Sequence, residues 1–168
     1  MAEHHLPLAS VYKGWERYHR HLVTVVAPLS PEQLTWRAAP SLRSLGEQVV
    51  HLIAARARLL SLDLHEDAPE LEPLMSWDGW GIHHRWDAPP VRSAPELVGG
   101  LQTTWQVLQT GLDCWSVADL EQVFPSPFPG EESVTRQFVL WNLMAHDLHH
   151  GGELSVVLEM HGLTGIQL

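Results

Sequence analysis

Apolar residues recur at intervals of three and four in four stretches of the chain, which is the pattern of amphipathic α-helices. The first stretch runs from Leu8 to Leu29, and the second runs from Leu45 to about Leu64. The third runs from Leu97 to Trp115, and the fourth begins near Ser133 and continues to Leu158. No stretch shows the strict alternation of apolar and polar residues that is typical of strands, so the pattern predicts an all-α fold.

Capping residues predict where three of these helices begin or end. Ser44 and Glu47 have the Ser-x-x-Glu spacing of a capping box, and so do Ser93 and Glu96. These two pairs predict the starts of the second and third helices. Gly162 is expected to end the fourth helix, because glycine readily adopts the left-handed conformation found after a helix C-terminus.

A connection of nearly thirty residues, 65–92, separates the second helix from the third. Connections of this length inside compact domains are usually functional or disordered. Trp77, Trp80 and Trp86 lie in it and argue against disorder. We therefore predict a single domain over residues 1–168, an antiparallel four-helix bundle with one long crossover connection between helices 2 and 3.

Composition excludes several classes of function. Twenty acidic residues against ten basic residues give a formal net charge of −10, and no basic stripe is present, so nucleic-acid binding is not expected. Cys114 is the only cysteine, so an intrachain disulfide is impossible, and its place beside Trp115 suggests a buried side chain. No apolar run approaches 18 residues and no signal peptide is recognisable, so we expect a cytoplasmic protein that does not associate with membranes.

Histidines of the second and fourth helices form a candidate metal site. His146 and His150 are four residues apart, which puts them on one helix face about 5–6 Å apart at Cβ. His51 is flanked by apolar residues of the second helix, so its side chain is expected to point inward. Three neutral imidazoles suit Zn²⁺ or Ni²⁺ and leave coordination positions for exchangeable ligands. The alternative is that these histidines are satisfied locally by backbone groups or water.

Acidic and histidine side chains near these three could support the site. Glu47 is four residues before His51 and is a candidate catalytic base, although its place in the capping box explains it equally well. His149 is a second-choice metal ligand or a residue of the rim. Glu153, three residues after His150, is a candidate to support or complete the site, and a solvated charge on the helix surface is the alternative for it.

The long connection adds candidates of two kinds. His83 and His84 could reach the metal from this connection, although adjacent loop histidines are more often surface residues. Trp80 and Trp86 are candidates for the apolar wall of a substrate pocket, which the connection would close as a lid.

Three segments resemble the DinB-like superfamily of DinB/YfiT-type metalloenzymes. They are LSPEQL at residues 29–34, SLGEQVVHL at 44–52 and HDLHHGGEL at 146–154, in the order and at the spacing of that family. Family members often have Arg-Gly-Gln after the last histidine, where this chain has Gly-Gly-Glu at 151–153. A glycine inside a helix costs about 1 kcal/mol relative to alanine, and it permits the close approach of a neighbouring helix or a substrate.

The resemblance implies both a site and a function. It implies a four-helix bundle, commonly dimeric, with a divalent metal, often Zn or Ni, on three histidines that correspond to His51, His146 and His150. The family includes metal-dependent thiol S-transferases that use low-molecular-weight thiols. We therefore expect a homodimeric, metal-dependent S-transferase, or a related transferase or hydrolase, that acts on small electrophiles. The alternative is a non-catalytic, metal-stabilised helical dimer that binds a small ligand or a stress signal.

Overall fold

The computed structural model describes residues 7–64, 66–79, 92–126 and 132–167. Within these ranges the α-helices and strands are α1 (Leu8–Val11), α2 (Lys13–Val26), α3 (Leu45–Arg58), α4 (Ala94–Cys114), β1 (Val123–Pro125), β2 (Ser133–Thr135) and α5 (Arg136–Met160). A π-helical turn at Leu59–Asp63 continues α3, and 3₁₀ turns lie at Gln33–Thr35, Pro69–Leu74 and Ala118–Glu121. The fold is therefore mostly helical, with a small two-stranded sheet.

The first predicted helix is divided in two at Tyr12. This residue leaves helical geometry, with φ −97° and ψ 22°, between α1 and α2. The backbone N–H of Leu8 donates to the carbonyl of Trp115 over 3.0 Å, which attaches α1 to the end of α4. The periodic pattern is continuous through Tyr12, so periodicity alone does not reveal this break.

The predicted capping boxes are present at the starts of α3 and α4. At α3 the N–H of Glu47 donates to the Ser44 hydroxyl over 3.2 Å, and the N–H of Ser44 donates to the Glu47 carboxylate over 2.7 Å. At α4 the N–H and the hydroxyl of Ser93 both donate to the Glu96 carboxylate. Gly162 follows α5 with a positive φ of 76°, as expected for a residue just past a helix.

The small sheet corrects the prediction of an all-α fold. Strands β1 and β2 pair antiparallel with Phe124 opposite Val134, and both of these side chains are buried. Each strand has three residues and a single buried position, which is too short for a pattern of alternation to be recognised. The fourth predicted helix consequently begins at Arg136 rather than near Ser133, because residues 133–135 are in β2.

The helices pack around α3, which contacts both α4 and α5, while α2 packs against α4. Part of the long connection also packs on this core, because Leu71 and Leu74 of its 3₁₀ turn are buried. Cys114 is exposed, contrary to our expectation. The Trp115 ring folds back onto Gly111 and takes the buried position instead. Within the described ranges no helix combines the length and the apolar character that a membrane span requires.

A buried ion pair connects α3 to α5. Arg56 and Asp147 are both fully buried, and two guanidinium nitrogens of Arg56 donate to the two carboxylate oxygens over 2.7 Å each. Helix α2 adds two donors: the Trp15 indole N–H contacts the Asp147 carboxylate at 2.6 Å, and the Tyr18 hydroxyl contacts the Asp147 carbonyl oxygen at 3.2 Å. Three helices therefore meet at one carboxylate.

His19 completes the surroundings of Arg56. Its Nδ1 lies 3.4 Å from a guanidinium nitrogen of Arg56, and its ring stacks on Trp105 with centroids 4.7 Å apart. Burial, with a smaller contribution from the charge of Arg56, lowers the pKa of His19 to about 3. His19 is therefore neutral at neutral pH, and its ring can accept a hydrogen bond from Arg56 without placing a second positive charge in the core.

The two adjacent glycines of α5 are in different environments. A Cβ at Gly151 would lie 1.7 Å from the hydroxyl oxygen of Tyr18, whereas a Cβ at Gly152 would meet nothing within 4 Å. The Tyr18 side chain is buried, and burial followed by the charge of Asp147 raises the pKa of its hydroxyl to about 12, so it remains a hydrogen-bond donor. Gly151 therefore permits the close approach of α2, as the sequence suggests, and Gly152 does not serve this purpose.

We predict that Arg56→Met destabilises the protein by about 3–5 kcal/mol, because it leaves the carboxylate of Asp147 buried without its partner. The matched control is Arg20→Met, since Arg20 and Glu16 form an exposed pair on α2 whose loss should cost at most about 1 kcal/mol. The double variant Arg56→Met, Asp147→Leu should recover most of the loss. Urea denaturation measures the free energy of unfolding of all three variants. Equal losses of stability in Arg56→Met and Arg20→Met would contradict the stabilising role that we assign to the buried ion pair.

We also predict opposite effects for alanine at the two glycines. Gly152→Ala should stabilise the protein by about 0.5–1 kcal/mol, because alanine is the better helix former and its methyl group meets no atom of the same chain. Gly151→Ala should destabilise it by about 1–3 kcal/mol, because Tyr18 has to move and lose its hydrogen bond. Thermal and urea denaturation at one protein concentration test this, and a shift of the same sign in both variants would refute it.

Candidate metal centre

Three histidines from two helices converge at one place in the fold. His51 comes from α3, and His146 and His150 come from α5. Each of them offers a ring nitrogen that lies within 4.8 Å of those of the other two. The Nε2 atoms of His51 and His146 are 3.2 Å apart, and the ring of His150 lies 4.9 Å from that of His51 and 4.3 Å from that of His146, between centroids. The structure thus brings together the three side chains that we predicted as ligands.

In two of these rings, a neighbouring carboxylate determines which nitrogen carries the proton and which has a free lone pair. Asp78 Oδ2 lies 3.0 Å from Nδ1 of His51, and Glu153 Oε2 lies 2.6 Å from Nδ1 of His150. Because an ionised carboxylate only accepts hydrogen bonds, Nδ1 carries the proton in both rings. In the neutral imidazole, Nε2 then has a free lone pair, which is the form that ligates a metal.

His146 is the ring whose polar atoms are least satisfied. Its Nδ1 is buried and has no hydrogen-bond partner in the part of the chain that the structure describes. Burial, followed by the neighbouring imidazoles, lowers its pKa to about 3, so the ring is neutral at neutral pH. Nε2 of His146 faces Nε2 of His51 across 3.2 Å, and this contact is satisfied either by an N–H of His146 donating to His51 or by a cation between the two atoms.

The donor set fits a divalent cation such as zinc. Imidazole nitrogens bind Zn²⁺ at about 2.0–2.1 Å, which puts two nitrogens of a tetrahedral site about 3.3 Å apart. The observed separation of 3.2 Å between the Nε2 atoms of His51 and His146 agrees with that value. Three imidazole nitrogens, with carboxylates behind two of the rings, form a donor set that zinc and nickel both accept.

Each of the two carboxylates is held in turn by a residue of α3. Arg58 donates to both oxygens of Asp78 over 2.8 Å, and Gln48 donates to Oε2 of Glu153. Burial is the largest single effect and raises the pKa of Glu153, but the hydrogen bonds with His150 and Gln48 and the charges of His150 and His149 together outweigh it, and the pKa is lowered. Glu153 is therefore a carboxylate at neutral pH, even though it lies at the edge of the site.

Glu47, the predicted catalytic base, is engaged in other contacts. Its two oxygens accept hydrogen bonds from the Arg37 guanidinium over 2.8 and 2.9 Å, and one of them also accepts the backbone N–H of Ser44. Burial raises its pKa, but these hydrogen bonds have the larger combined effect and the pKa is lowered. The contacts support the alternative of a helix cap with an ion pair, and a catalytic role for Glu47 stays a prediction.

The remaining predicted residues divide into two groups. His149 is exposed on α5, with Nε2 3.3 Å from Oε1 of Glu153, so the pair lies at the rim. The other group, His83, His84, Trp80 and Trp86, lies outside the described residues.

Asp78, Arg58 and Gln48 are site residues that the sequence analysis did not find. Arg58 is seven residues after His51, two helical turns along the same face of α3, and this spacing was a usable signal. Gln48 has no comparable signal. Asp78 lies in the long connection, whose sequence has no periodicity from which its position could be inferred.

Comparison with known proteins identifies the family. Residues 14–154 match the model of the DinB superfamily, a range that includes all three histidines and most of the chain. The chain belongs to the DinB superfamily. A search of curated proteins found no match.

Two crystal structures of DinB-like proteins have a similar fold. One is from Bacillus cereus ATCC 10987, with a TM-score of 0.63, 22% identity and coverage of 93% of each chain. The other, YjoA from Bacillus subtilis, has a TM-score of 0.63 and 15% identity, and the match covers 95% of this chain and 96% of that one. At these identities the similarity establishes the DinB-like fold.

Proposed function

We propose that this protein is a divalent-metal-dependent enzyme in which His51, His146 and His150 hold Zn²⁺ or Ni²⁺. The observation that carries the proposal is the convergence of three imidazoles, with two Nε2 atoms 3.2 Å apart and carboxylates on Nδ1 of two rings. The reaction that we favour is thiol-dependent S-transfer to a small electrophile, and a related transfer or hydrolysis would use the same site. We also propose that α2, α3, α4 and α5 form the predicted antiparallel bundle, as a single domain.

The side chains around the histidines suggest how the reaction proceeds. When bound, a divalent cation lowers the pKa of thiols and water, so that a nucleophile forms near neutral pH. Asp78 and Glu153 hold the imidazole rings of His51 and His150 in one orientation through Nδ1. His149, exposed at the rim, takes up through Nδ1 the proton that the thiol releases, because its Nε2 lies 3.3 Å from the Glu153 carboxylate and carries a proton. A thiol-dependent reaction fits the cytoplasmic location that the sequence predicts, because thiols stay reduced there.

The substrate is proposed to be a small electrophile with a leaving group. In the transfer, the thiol sulfur forms a bond to the electrophilic carbon, the bond to the leaving group breaks, and the leaving group departs with the electron pair. We propose that Trp80 and Trp86 form the wall of the substrate pocket, as the sequence predicts.

A second copy of the chain is the partner that we propose. Trp141, Leu148 and Val156 of α5 are 59%, 43% and 54% exposed, and their spacing puts them along one side of the helix. Ala145 and Gly152 lie between them on this side, so no charged residue interrupts it. An exposed apolar strip of this kind on a helix is removed from water when the same face of another copy covers it.

The metal site is tested by elemental analysis of protein purified without an affinity tag and reconstituted with Zn²⁺ or Ni²⁺. We expect about one equivalent of metal in the wild type and little in His150→Ala, because two imidazoles bind a cation far more weakly than three. The control His21→Ala, on α2, should keep the wild-type content. A wild type that binds neither metal would refute the metalloenzyme and leave the histidines satisfied locally.

Turnover is tested with bacillithiol, mycothiol and glutathione against an activated aryl chloride, following chloride release and thioether absorbance. The wild type with metal should be active, and His150→Ala should fall to the uncatalysed rate. His149→Ala should retain the metal but lose at least about tenfold in rate, since general acid–base groups typically contribute 10²–10⁴-fold. A metal-loaded wild type that is inactive with every thiol would support the alternative, a non-catalytic dimer that binds a ligand or a stress signal.

The dimer is tested by sedimentation equilibrium. We expect the wild type to have twice the mass of one chain, and Trp141→Glu to shift it to the monomer, because a buried unpaired carboxylate opposes association. Val117→Glu is the matched control, since Val117 is 61% exposed and lies outside α5. A monomeric wild type, or a dimer that withstands Trp141→Glu, would exclude this interface.

A further inference from the structure

Arg58, the last residue of α3, attaches the described end of the long connection to this helix. Arg58 donates to the carbonyl oxygen of Met75 over 2.7 Å and to both carboxylate oxygens of Asp78 over 2.8 Å. The side chains of Arg58 and Asp78 are only 17% and 8% exposed, so these contacts are largely shielded from solvent. Residues 75–79, which we call the docked segment, are thereby held against the helix that carries His51.

Trp77 attaches the docked segment to α4 as well. Its ring packs so closely on Gly100 that a Cβ there would lie 2.9 Å from a ring carbon. The guanidinium carbon of Arg92 lies 3.7 Å from the ring centroid on the Trp77 ring face, a cation–π arrangement. Asp78 is therefore presented from a segment that contacts both α3 and α4.

One oxygen of Asp78 joins this segment to the metal centre. Oδ2 accepts a hydrogen bond from Arg58 at 2.8 Å and lies 3.0 Å from Nδ1 of His51. A carboxylate on Nδ1 makes Nε2 the ligating nitrogen and fixes the plane of the ring. The position and charge of Asp78 therefore influence Nε2 of His51, the atom that faces His146.

We propose that Asp78 is a positioning residue that couples cation binding at His51 to the docking of residues 75–79. The proposal rests on the metal site proposed above. When a cation draws on the lone pair of Nε2, the Nδ1–H of His51 becomes a stronger donor, and its hydrogen bond to Asp78 strengthens. The cation therefore stabilises the docked segment, and the docked segment in return raises the affinity for the cation, as linkage requires.

Glu153 provides an internal contrast to Asp78. It is three residues after His150 on the same helix, so its contact with Nδ1 of His150 requires only local helical geometry. Its side chain is 44% exposed, whereas that of Asp78 is 8% exposed. Both carboxylates orient a ligand, but only Asp78 connects the centre to a segment distant in sequence.

The experiment measures zinc affinity by chelator competition and backbone hydrogen exchange with and without zinc. In the wild type, zinc should slow exchange in residues 75–79, where the N–H groups of Trp77 and Gly79 donate to local carbonyl oxygens. Asp78→Asn should bind zinc about 10–100-fold more weakly, as is typical when such a partner of a ligand is lost. At saturating zinc, hydrogen exchange in α5 of this variant should still be slowed, whereas exchange in residues 75–79 should no longer be slowed.

Glu153→Gln is the matched control, and the Co²⁺ absorption spectrum is the second measurement. Glu153→Gln should weaken zinc binding while zinc still slows exchange in residues 75–79. Asp78→Asn should change the visible spectrum of the Co²⁺ form, which a purely structural role away from the ligands would not do. If Asp78→Asn has the zinc affinity, the Co²⁺ spectrum and the hydrogen exchange of the wild type, the coupling alone is overturned. If the wild type binds no zinc, the metal centre and the coupling are overturned together. Absence of zinc-dependent slowing in the wild-type docked segment also overturns the coupling, even if Asp78→Asn does not fold.

Discussion

The buried ion pair between Arg56 and Asp147 is the interaction on which the arrangement of the site depends. It is formed by the same two helices that supply the three histidines, α3 and α5. Arg56 is five residues after His51, and Asp147 directly follows His146. Any sliding or rotation of α3 against α5 would separate two fully buried charges, which is strongly unfavourable. The pair therefore specifies one register between the helices, and in that register His51 lies 3.2 Å from His146 between Nε2 atoms.

Helix α2 extends this constraint to a third element. Trp15 and Tyr18 both donate to Asp147, and the space for Tyr18 exists because residue 151 has no side chain. A glycine in the middle of α5 weakens the helix on its own, yet here it makes room for the Tyr18 hydroxyl beside the carbonyl oxygen of Asp147, whose carboxylate accepts the Trp15 indole N–H. The Gly-Gly pair thus has a packing role at its first position, Gly151. At its second position, Gly152 lies on the exposed apolar side of the same helix.

Orientation of the imidazoles comes from two kinds of contact, and the difference matters for function. Glu153 acts on His150 within one helical turn, whereas Asp78 reaches His51 from the long connection. In the proposed metal centre, a ligand set oriented from both inside and outside its own helices would respond to the position of residues 75–79 as well as to the cation. This would give residues far along the chain a physical route to the three histidines without any contact with the cation.

The sequence by itself determined the features that depend on spacing along the chain. Capping boxes at Ser44 and Ser93, the end of α5 at Gly162 and the shared face of His146 and His150 are all local, because helical geometry alone relates the residues. That His51 would join the other two was inferred from apolar neighbours and from family resemblance. Only the tertiary structure decided the rest. Arg56 and Asp147 are charged residues within helices and by pattern belong on a surface, and their burial depends on three helices meeting. Asp78 lies in a segment without periodicity, and the strands around Phe124 and Val134 are too short to show any. In each case the partner is distant in sequence, and no rule of spacing connects residues that only packing brings together.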